Sequence, residues 1–188
     1  MTDAQFDDLL PSFLQSKSKQ HFTPFSIIQK AASFLCSDPN ASIVDIGSGV
    51  GKFCLEAARL YPTCSFYGIE IRYDLFEIAN FLKKKLKRSN VEFIHADMKS
   101  IPFHSFNHFY LFNPFHENIE TENALDEALV LNEKNYLSYS GYLYRQLKRH
   151  PLGTRIASFH MPEASFPETY MVVDAHFDNH LLFLEKIQ

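Results

Sequence analysis

A length of 188 residues suits one domain with a core of ordinary size, and an apolar fraction of 46% excludes a disordered chain. The formal net charge of −4 argues against a general polyanion binder, although it is compatible with a local basic patch. No secretory leader and no apolar run of membrane-spanning length is found, and the three cysteines suggest reduced thiols. We therefore expect a cytoplasmic protein without a membrane partner.

Helices are predicted before the first strand. Residues 3–19 show a weak amphipathic pattern. A firmer helix is predicted from Thr23, because threonine is a good N-cap and Pro24 suits the first helical turn. We interpret residues 1–38 as an N-terminal helical extension within a single domain that covers residues 1–188.

Strands and helices then alternate regularly. The predicted elements are a strand at 42–46, a helix at 52–60, a strand at 65–70, a helix at 73–87, and strands at 91–96 and 108–113. This order is typical of a doubly wound α/β sheet with mostly parallel strands. Such sheets bind ligands at the carboxyl ends of their strands.

The C-terminal part of the chain follows a different pattern. An acidic segment at 116–135 fits either a loop or a short helix. The elements predicted after it are a helix at 136–149 and strands at 155–160, 170–175 and 181–187. The turn with Asp178 and Asn179 is short, so the last two strands must pair antiparallel. We predict a Rossmann-like, doubly wound α/β fold whose seven-stranded sheet is mostly parallel and ends in an antiparallel C-terminal hairpin.

A glycine-rich loop, Asp45-Ile46-Gly47-Ser48-Gly49-Val50-Gly51, joins the first strand to the next helix. Glycine lets a backbone turn tightly and approach a ligand closely. The loop departs from the dinucleotide fingerprint, because Lys52 stands where that pattern has its third glycine. A carboxylate such as Asp45 would repel a pyrophosphate but would suit a sulfonium or ammonium group. The charges therefore favour S-adenosyl-L-methionine over a nicotinamide dinucleotide.

The loop resembles the first motif of the class I S-adenosylmethionine-dependent methyltransferases, and the resemblance extends over about residues 22–115. In that family an acid like Glu70 binds the ribose hydroxyls, an acid like Asp97 binds the adenine amino group, and a residue like Met98 packs on the adenine ring. Acids at three successive strand ends favour a cofactor site over unrelated turn or helix caps. The cofactor-binding residues that the resemblance implies are Asp45, Gly47, Ser48, Gly49, Gly51, Glu70, Ile71, Asp97, Met98 and Asn113.

The fourth predicted strand ends in Asn113-Pro114-Phe115. These residues resemble the Asn-Pro-Pro-aromatic motif of enzymes that methylate planar nitrogens, without its second proline, and the Asn-Pro-Phe form of small bacterial methyltransferases. The resemblance makes Asn113, Pro114 and Phe115 the catalytic candidates. An Asn amide oxygen can accept N–H bonds, and an aromatic face can stack on a planar group. The alternative is that the motif only ends a strand.

Two further residues near these motifs are weaker candidates. His116 would serve as a base if the acceptor were a hydroxyl or a protonated amine, and otherwise it is a loop residue. Phe22 is a candidate cofactor contact, because the corresponding region closes over the cofactor in related enzymes. No metal site is predicted, since the spaced histidine pairs do not lie in helical patterns.

The leading interpretation is a methyltransferase that uses S-adenosyl-L-methionine and acts on an unidentified acceptor. A nitrogen is slightly favoured, in a small molecule, a protein side chain or a nucleobase. The basic residues at 83–88 are interpreted as a solvated helix end, so nucleic acid is compatible but not favoured. One alternative is a non-catalytic cofactor-binding or scaffold module. Another is a nicotinamide-dependent oxidoreductase, against which Asp45, Lys52 and the hairpin argue. The acceptor atom and the oligomeric state stay open.

Overall fold

The computed structural model describes residues 1–115 and 132–188, which fall into two compact units, Met1–Tyr110 and Leu111–Gln188. The elements of the first unit are α1 (Asp3–Asp7), α2 (Ser12–Gln15), α3 (Ser18–His21), α4 (Phe25–Leu35), β1 (Ser42–Ile46), α5 (Lys52–Leu60), β2 (Ser65–Glu70), α6 (Tyr73–Lys85), β3 (Val91–His95) and two 3₁₀ helices (Met98–Ser100 and Phe103–Ser105). Strand β4 (His108–Phe112) begins in this unit.

The second unit carries the remaining elements. They are the end of β4, α7 (Glu133–Arg149), β5 (Arg155–Phe159), a 3₁₀ helix (Glu163–Ser165), β6 (Tyr170–His176) and β7 (Leu181–Lys186). The predicted helix at 136–149 begins three residues earlier than expected, because the Asn132 side chain accepts the Asn135 N–H and caps it. Of the predicted acidic segment at 116–135, residues 116–131 lie outside the described residues.

One seven-stranded sheet runs in the order β3-β2-β1-β4-β5-β7-β6. Strands β1, β2 and β3 pair in parallel, whereas β7 pairs antiparallel with β5 and with β6. The predicted fold is confirmed, including its antiparallel C-terminal hairpin. In the parallel part Asp45 lies opposite Gly68, and Glu70 lies opposite His95. The carboxyl ends of β1, β2 and β3 therefore meet at one edge of the sheet.

Aromatic residues build the core of the first unit. Phe53 stacks on Tyr110 with ring centroids 3.8 Å apart, and it meets Phe66 edge to face at 6.4 Å. All three side chains are fully buried. The Tyr110 hydroxyl shares a 2.9 Å hydrogen bond with the hydroxyl of Thr23. The buried hydroxyl is thereby satisfied, as burial in an apolar core requires.

The start of α4 differs from the expectation. The N-cap position is Pro24, not Thr23, and no side chain of the cap residue accepts a hydrogen bond. Thr23 precedes the cap residue, and its hydroxyl is hydrogen-bonded to Tyr110. The Asp3 carboxylate accepts the Phe25 N–H instead, at 3.1 and 3.3 Å. A residue of α1 thus supplies the cap that the local sequence lacks.

Lys52, the first residue of α5, is buried next to α1 and α4. Its Nζ lies 2.6 Å from Asp3 Oδ1 and 3.7 Å from Asp7 Oδ1. The same ammonium group lies 5.5 Å from the Phe6 ring centroid and 5.3 Å from that of Phe25. Aromatic faces and carboxylates together stabilise this desolvated cation.

Strand β6 stands last in the strand order of the sheet. Its pairing with β7 shifts register between Val172 and Asp174, which marks a β-bulge. Met171 and Val173 are exposed on this strand. Among the helices that the structure describes, none has the length and apolarity that crossing a membrane requires.

Candidate functional site

The glycine loop between β1 and α5 has the backbone that its sequence predicts. Gly47, Gly49 and Gly51 have φ values of 75°, 54° and 78°, in the left-handed region. The N–H groups of Gly47 and Ser48 both donate to the Ile69 carbonyl, at 2.9 and 3.0 Å. The loop is therefore fastened to the end of β2. Residues with side chains rarely adopt this backbone, so three glycines in seven residues are a requirement of the turn.

Phe93 of β3 packs directly against two glycines. A Cβ atom on Gly51 would lie 2.2 Å from Phe93 Cζ, and one on Gly68 would lie 2.5 Å from Phe93 Cδ1. A Cβ on Gly68 would also lie 2.7 Å from Ser48 Oγ. Phe93 was missed in the sequence because only strand alternation marks it as an inward residue. Its effect on the glycines depends on the pairing of β2 with β3.

Glu70 ends β2 and holds the loop by hydrogen bonds. Its Oε2 accepts the Gly49 N–H at 2.8 Å, and its Oε1 accepts the Arg72 N–H at 2.9 Å. Burial raises the pKa of Glu70, and the N–H donors of Arg72 and Gly49 counteract part of that rise. A carboxylate has room for further donors on each oxygen. Glu70 can therefore keep these bonds and accept the hydroxyls of a ligand.

Asp45 ends β1 in a buried position, with only 4% of its surface exposed. Burial raises the pKa of Asp45 well above its usual range, and the nearby charge of Glu70 raises it further. A weak bond from the Cys54 thiol, whose Sγ lies 3.9 Å from Asp45 Oδ2, acts in the opposite direction. A buried acid whose proton affinity a neighbouring carboxylate raises favours a positively charged ligand.

Asp97 follows β3 and caps the 3₁₀ helix Met98–Ser100. Its Oδ1 accepts the Lys99 N–H at 2.8 Å. This is the capping role that the sequence allowed for an isolated acid. Met98 is buried, whereas Ile71 is 39% exposed beyond the end of β2. Phe22 contacts the loop as well, since a Cβ on Gly49 would lie 3.5 Å from its ring.

The remaining predicted residues lie in the second unit. Asn113 is partly buried directly after β4 and has a φ of 37°. No hydrogen bond joins its side chain to another residue of the described ranges. Phe115 is buried and stacks on Tyr139 of α7, with ring centroids 5.5 Å apart. One face of Phe115 is thus occupied by Tyr139. His116 lies outside the described residues.

The residues of the first unit fit S-adenosyl-L-methionine better than a dinucleotide. Asp45 and Glu70 are buried carboxylates that suit a cationic group, and Ser48 Oγ is buried without a hydrogen-bond partner in residues 1–115 and 132–188. An unpaired buried hydroxyl is costly, so a ligand that bonds to it gains affinity. Within the same ranges, no three His, Cys, Asp or Glu side chains are grouped to hold a metal ion.

A family model described as a methyltransferase domain matches residues 37–151, which is more than half of the chain. The chain belongs to this methyltransferase family. The match includes the glycine loop and the acids at the ends of β1, β2 and β3.

The curated relatives of this chain include proteins of two kinds. A tRNA (guanine-N(7)-)-methyltransferase of Synechococcus sp. (strain JA-3-3Ab) is 44% identical over 55 residues, which are 29% of this chain and 23% of that protein. A release factor glutamine methyltransferase of Buchnera aphidicola subsp. Baizongia pistaciae is 28% identical over 137 residues, with 62% of this chain and 50% of that protein covered. The chain thus spans about a quarter to a half of these relatives.

Solved structures show the same fold. An RNA methyltransferase from Salinibacter ruber, in complex with S-adenosyl-L-homocysteine, superposes with a TM-score of 0.60. The superposition covers 88% of this chain and 92% of that one, at 18% sequence identity. At this identity the likeness establishes the Rossmann-like architecture of the methyltransferase.

Proposed function

We propose that this methyltransferase transfers a methyl group to a planar nitrogen acceptor that Asn113 orients. The observation that carries the proposal is the turn after β4, where Asn113 has a φ of 37° and an amide without a hydrogen bond to another described residue. Left-handed backbone costs a non-glycine residue about 1–3 kcal/mol and is concentrated at functional sites. An amide oxygen in this position is suited to accept an N–H of the acceptor.

The proposal assigns cofactor binding to the first unit. The residues assigned to it are Asp45, Gly47, Ser48, Gly49, Gly51, Glu70, Ile71, Asp97 and Met98. The cofactor supplies a methyl group activated on a cationic sulfur, so the chain needs chiefly to orient the reactants and exclude water. We treat residues 1–188 as one methyltransferase domain, with residues 1–38 as its N-terminal helical extension.

The names of the relatives support a nitrogen acceptor. One group is named for guanine N7 and the other for glutamine, and both acceptors carry nitrogen in a planar group. These acceptors share little else. The common chemistry therefore favours a planar nitrogen without choosing between a nucleobase, a protein side chain and a small molecule.

The test uses the purified protein and S-adenosyl-L-methionine with an isotopically labelled methyl group. Total RNA, total protein and a small-molecule extract are supplied separately, and the labelled product is identified by mass spectrometry. Asn113→Ala should bind the cofactor with unchanged affinity in calorimetry, while turnover falls by about a hundredfold because the acceptor is misplaced.

Asn179→Ala is the matched control. Asn179 also has left-handed backbone, with a φ of 65°, but lies in the exposed turn between β6 and β7. Its variant should turn over like the wild type. Label on an oxygen or a carbon, or normal turnover by Asn113→Ala, would contradict the proposal.

A further inference from the structure

Helix α7 gathers its positive charge on one side. Four exposed cations share this side, and we call them the basic face of α7: Lys134, Arg145, Lys148 and Arg149. With about 3.6 residues per turn, their positions fall within an arc of about 100° and extend over about 22 Å of the helix axis. The two buried residues of the helix, Leu143 and Leu147, lie on the opposite side.

The basic face stands out in a chain that is negative overall. The formal net charge is −4, whereas α7 contains these four cations and a single acid, Glu133. None of the four cations forms an ion pair with a carboxylate of residues 1–115 or 132–188. A ligand that carries several negative charges would therefore be attracted to this side of the helix.

The helix dipole does not account for the basic face. Cations near a helix C-terminus stabilise the last carbonyls. In α7 that task falls to Lys186, whose Nζ donates to the carbonyls of Lys148 and His150 at 2.6 Å each. Lys134 lies in the first turn, where the dipole disfavours a cation.

Lys148 also opposes the hydrogen bonds that hold the end of α7. Burial, and then the charge of Lys148, lower the pKa of the Lys186 ammonium. The two like charges therefore repel each other in the folded chain. Capping and core packing leave Lys148 without a role, whereas an anionic ligand would give it one.

Gly141 lies in the middle of the basic face. Outside the local helix backbone, a Cβ atom there would meet only Arg145 Nη1, at 3.4 Å, among the described residues. Glycine weakens a helix interior, and no core contact requires it at this position. The missing side chain lets the Arg145 guanidinium lie against the helix and lets a ligand approach closely.

RNA has the charge pattern that fits this face. A nucleic-acid backbone is a row of phosphates, which arginine and lysine side chains bind. A membrane surface fits less well, because the apolar side of α7 is buried. A base in a DNA duplex must be flipped out of the stack before it reacts, whereas RNA presents unpaired bases in loops.

Helix α7 also contacts the turn that carries the candidate catalytic residues. Tyr139 of α7 stacks on Phe115, with ring centroids 5.5 Å apart. Asn113 belongs to the same compact unit. RNA bound along α7 would therefore be held by the unit that presents Asn113.

We propose that the basic face of α7 binds the phosphate backbone of RNA, and that the methyl acceptor is an unpaired base of that RNA. The second part rests on the proposed nitrogen methylation and narrows its acceptor to a nucleobase. The cations of α7 position the RNA, and they take no part in the methyl transfer itself.

The test measures binding of a fluorescein-labelled RNA hairpin by fluorescence anisotropy, between about 50 mM and about 200 mM salt. The triple variant Arg145→Gln/Lys148→Gln/Arg149→Gln should bind more than about tenfold more weakly than the wild type. Its slope of log affinity against log salt concentration should be smaller by about 2, since each lost phosphate contact removes about 0.7–0.9. Arg145→Lys/Lys148→Arg/Arg149→Lys keeps the charges and should retain the wild-type slope.

The matched control removes the same charge from another helix end. Lys84→Gln/Lys85→Gln/Lys87→Gln changes three exposed lysines in the first unit and should leave the salt slope unchanged. Both glutamine variants should bind S-adenosyl-L-methionine with wild-type affinity and unfold at the wild-type temperature, which shows that they are folded.

The inference is overturned if the wild type does not bind the hairpin, or if the two glutamine variants lose affinity equally. Tighter binding to polyglutamate than to RNA would also overturn it, because the partner would then be an acidic protein. Labelled methyl on a protein or small-molecule nitrogen would refute the acceptor assigned here, while the nitrogen methylation stands. Label on oxygen or carbon would refute the proposed function, and the anisotropy results would still decide whether α7 binds RNA.

Discussion

Phe93 leaves no space for a side chain at two glycines of the candidate site. Its ring fills the space that a Cβ on Gly51 or on Gly68 would need. The two glycines differ in backbone, since Gly51 has a φ of 78° whereas Gly68 lies in a regular strand. At Gly68 a side chain is excluded only because the space is filled. At Gly51 a side chain is excluded both by the filled space and by the left-handed backbone.

A double-mutant cycle separates these requirements. Gly68→Ala should cost about 1–3 kcal/mol of unfolding free energy in the wild type, and at least about 1 kcal/mol less in a Phe93→Val background. Gly51→Ala should lower the free energy of unfolding by at least about 1–2 kcal/mol in both backgrounds, because an alanine at this position is strained by the left-handed backbone. Urea unfolding measures all the variants. Equal costs of Gly68→Ala in the two backgrounds would rule out the contact with Phe93 as the cause.

At this scale the sequence marks the candidate residues for chemistry but not the residues that pack against them. The glycine loop, Asp45 and Glu70 stand out because strand ends and spacing mark them. Phe93 has no local signature, since its role arises from the register of β2 and β3.

Among the helices, α1 is tied to α4 and α5 through Asp3 and Lys52. Asp3 accepts the Phe25 N–H at 3.1 Å and pairs with the Lys52 ammonium at 2.6 Å. Lys52 is 3% exposed, so its charge is almost completely desolvated. Loss of the carboxylate therefore costs more than loss of the whole pair, because an unpaired buried charge remains.

This asymmetry is testable by thermal or urea unfolding. Asp3→Ala should lower the free energy of unfolding by about 3 kcal/mol, since it leaves Lys52 with the more distant Asp7 and removes the cap of α4. Lys52→Met should cost less than about 1.5 kcal/mol, because it replaces the charge with an apolar chain of similar length. Asp8→Ala, at an exposed position of the same segment, should change stability by less than about 0.5 kcal/mol. A larger cost for Lys52→Met than for Asp3→Ala would contradict this account.

The order of helices and strands followed from periodicity, whereas their caps did not. The short turn at Asp178 and Asn179 predicted the antiparallel pairing of β6 with β7, which is confirmed. The predicted cap at Thr23 was wrong: Pro24 is the cap residue, and the Thr23 hydroxyl bonds to Tyr110, 87 positions further along the chain. A cap depends on partners distant in sequence, and local propensity carries no information about them.

For the whole molecule, the acids of the first unit oppose stability while they favour a cationic ligand. Burial, and then the charge of Glu70, raise the pKa of Asp45 well above the ordinary range of an aspartate. The folded chain therefore holds a proton that the unfolded chain releases at a lower pH. The free energy of unfolding falls as pH rises from the ordinary aspartate range through the raised pKa.

Asp45→Asn should abolish this fall. At pH 7 the variant should be more stable than the wild type, and the difference should shrink as the pH is lowered. Each kcal/mol of added unfolding free energy should raise the unfolding temperature by about 2–4 °C. Its affinity for S-adenosyl-L-methionine should fall by about tenfold or more, because a charged hydrogen-bond acceptor is lost. Scanning calorimetry over a pH series and titration calorimetry measure the two effects.

Asp74→Asn, which removes an exposed acid at the start of α6, is the control and should alter neither quantity. A less stable Asp45→Asn variant with unchanged cofactor affinity would remove Asp45 from the site. A gain in stability together with a loss in affinity would identify Asp45 as a residue retained for ligand binding.

The bulge in β6 bears on how copies of this chain meet one another. As the last strand in the sheet, β6 has a border that no other strand of residues 1–115 and 132–188 pairs with, and it exposes Met171 and Val173. A regular, apolar border would act as a template for another chain and promote aggregation. The register shift at Val172 and Asp174 interrupts that template, and Asp174 places a carboxylate within it. The bulge and the carboxylate of Asp174 therefore disfavour pairing of β6 with a strand of another chain.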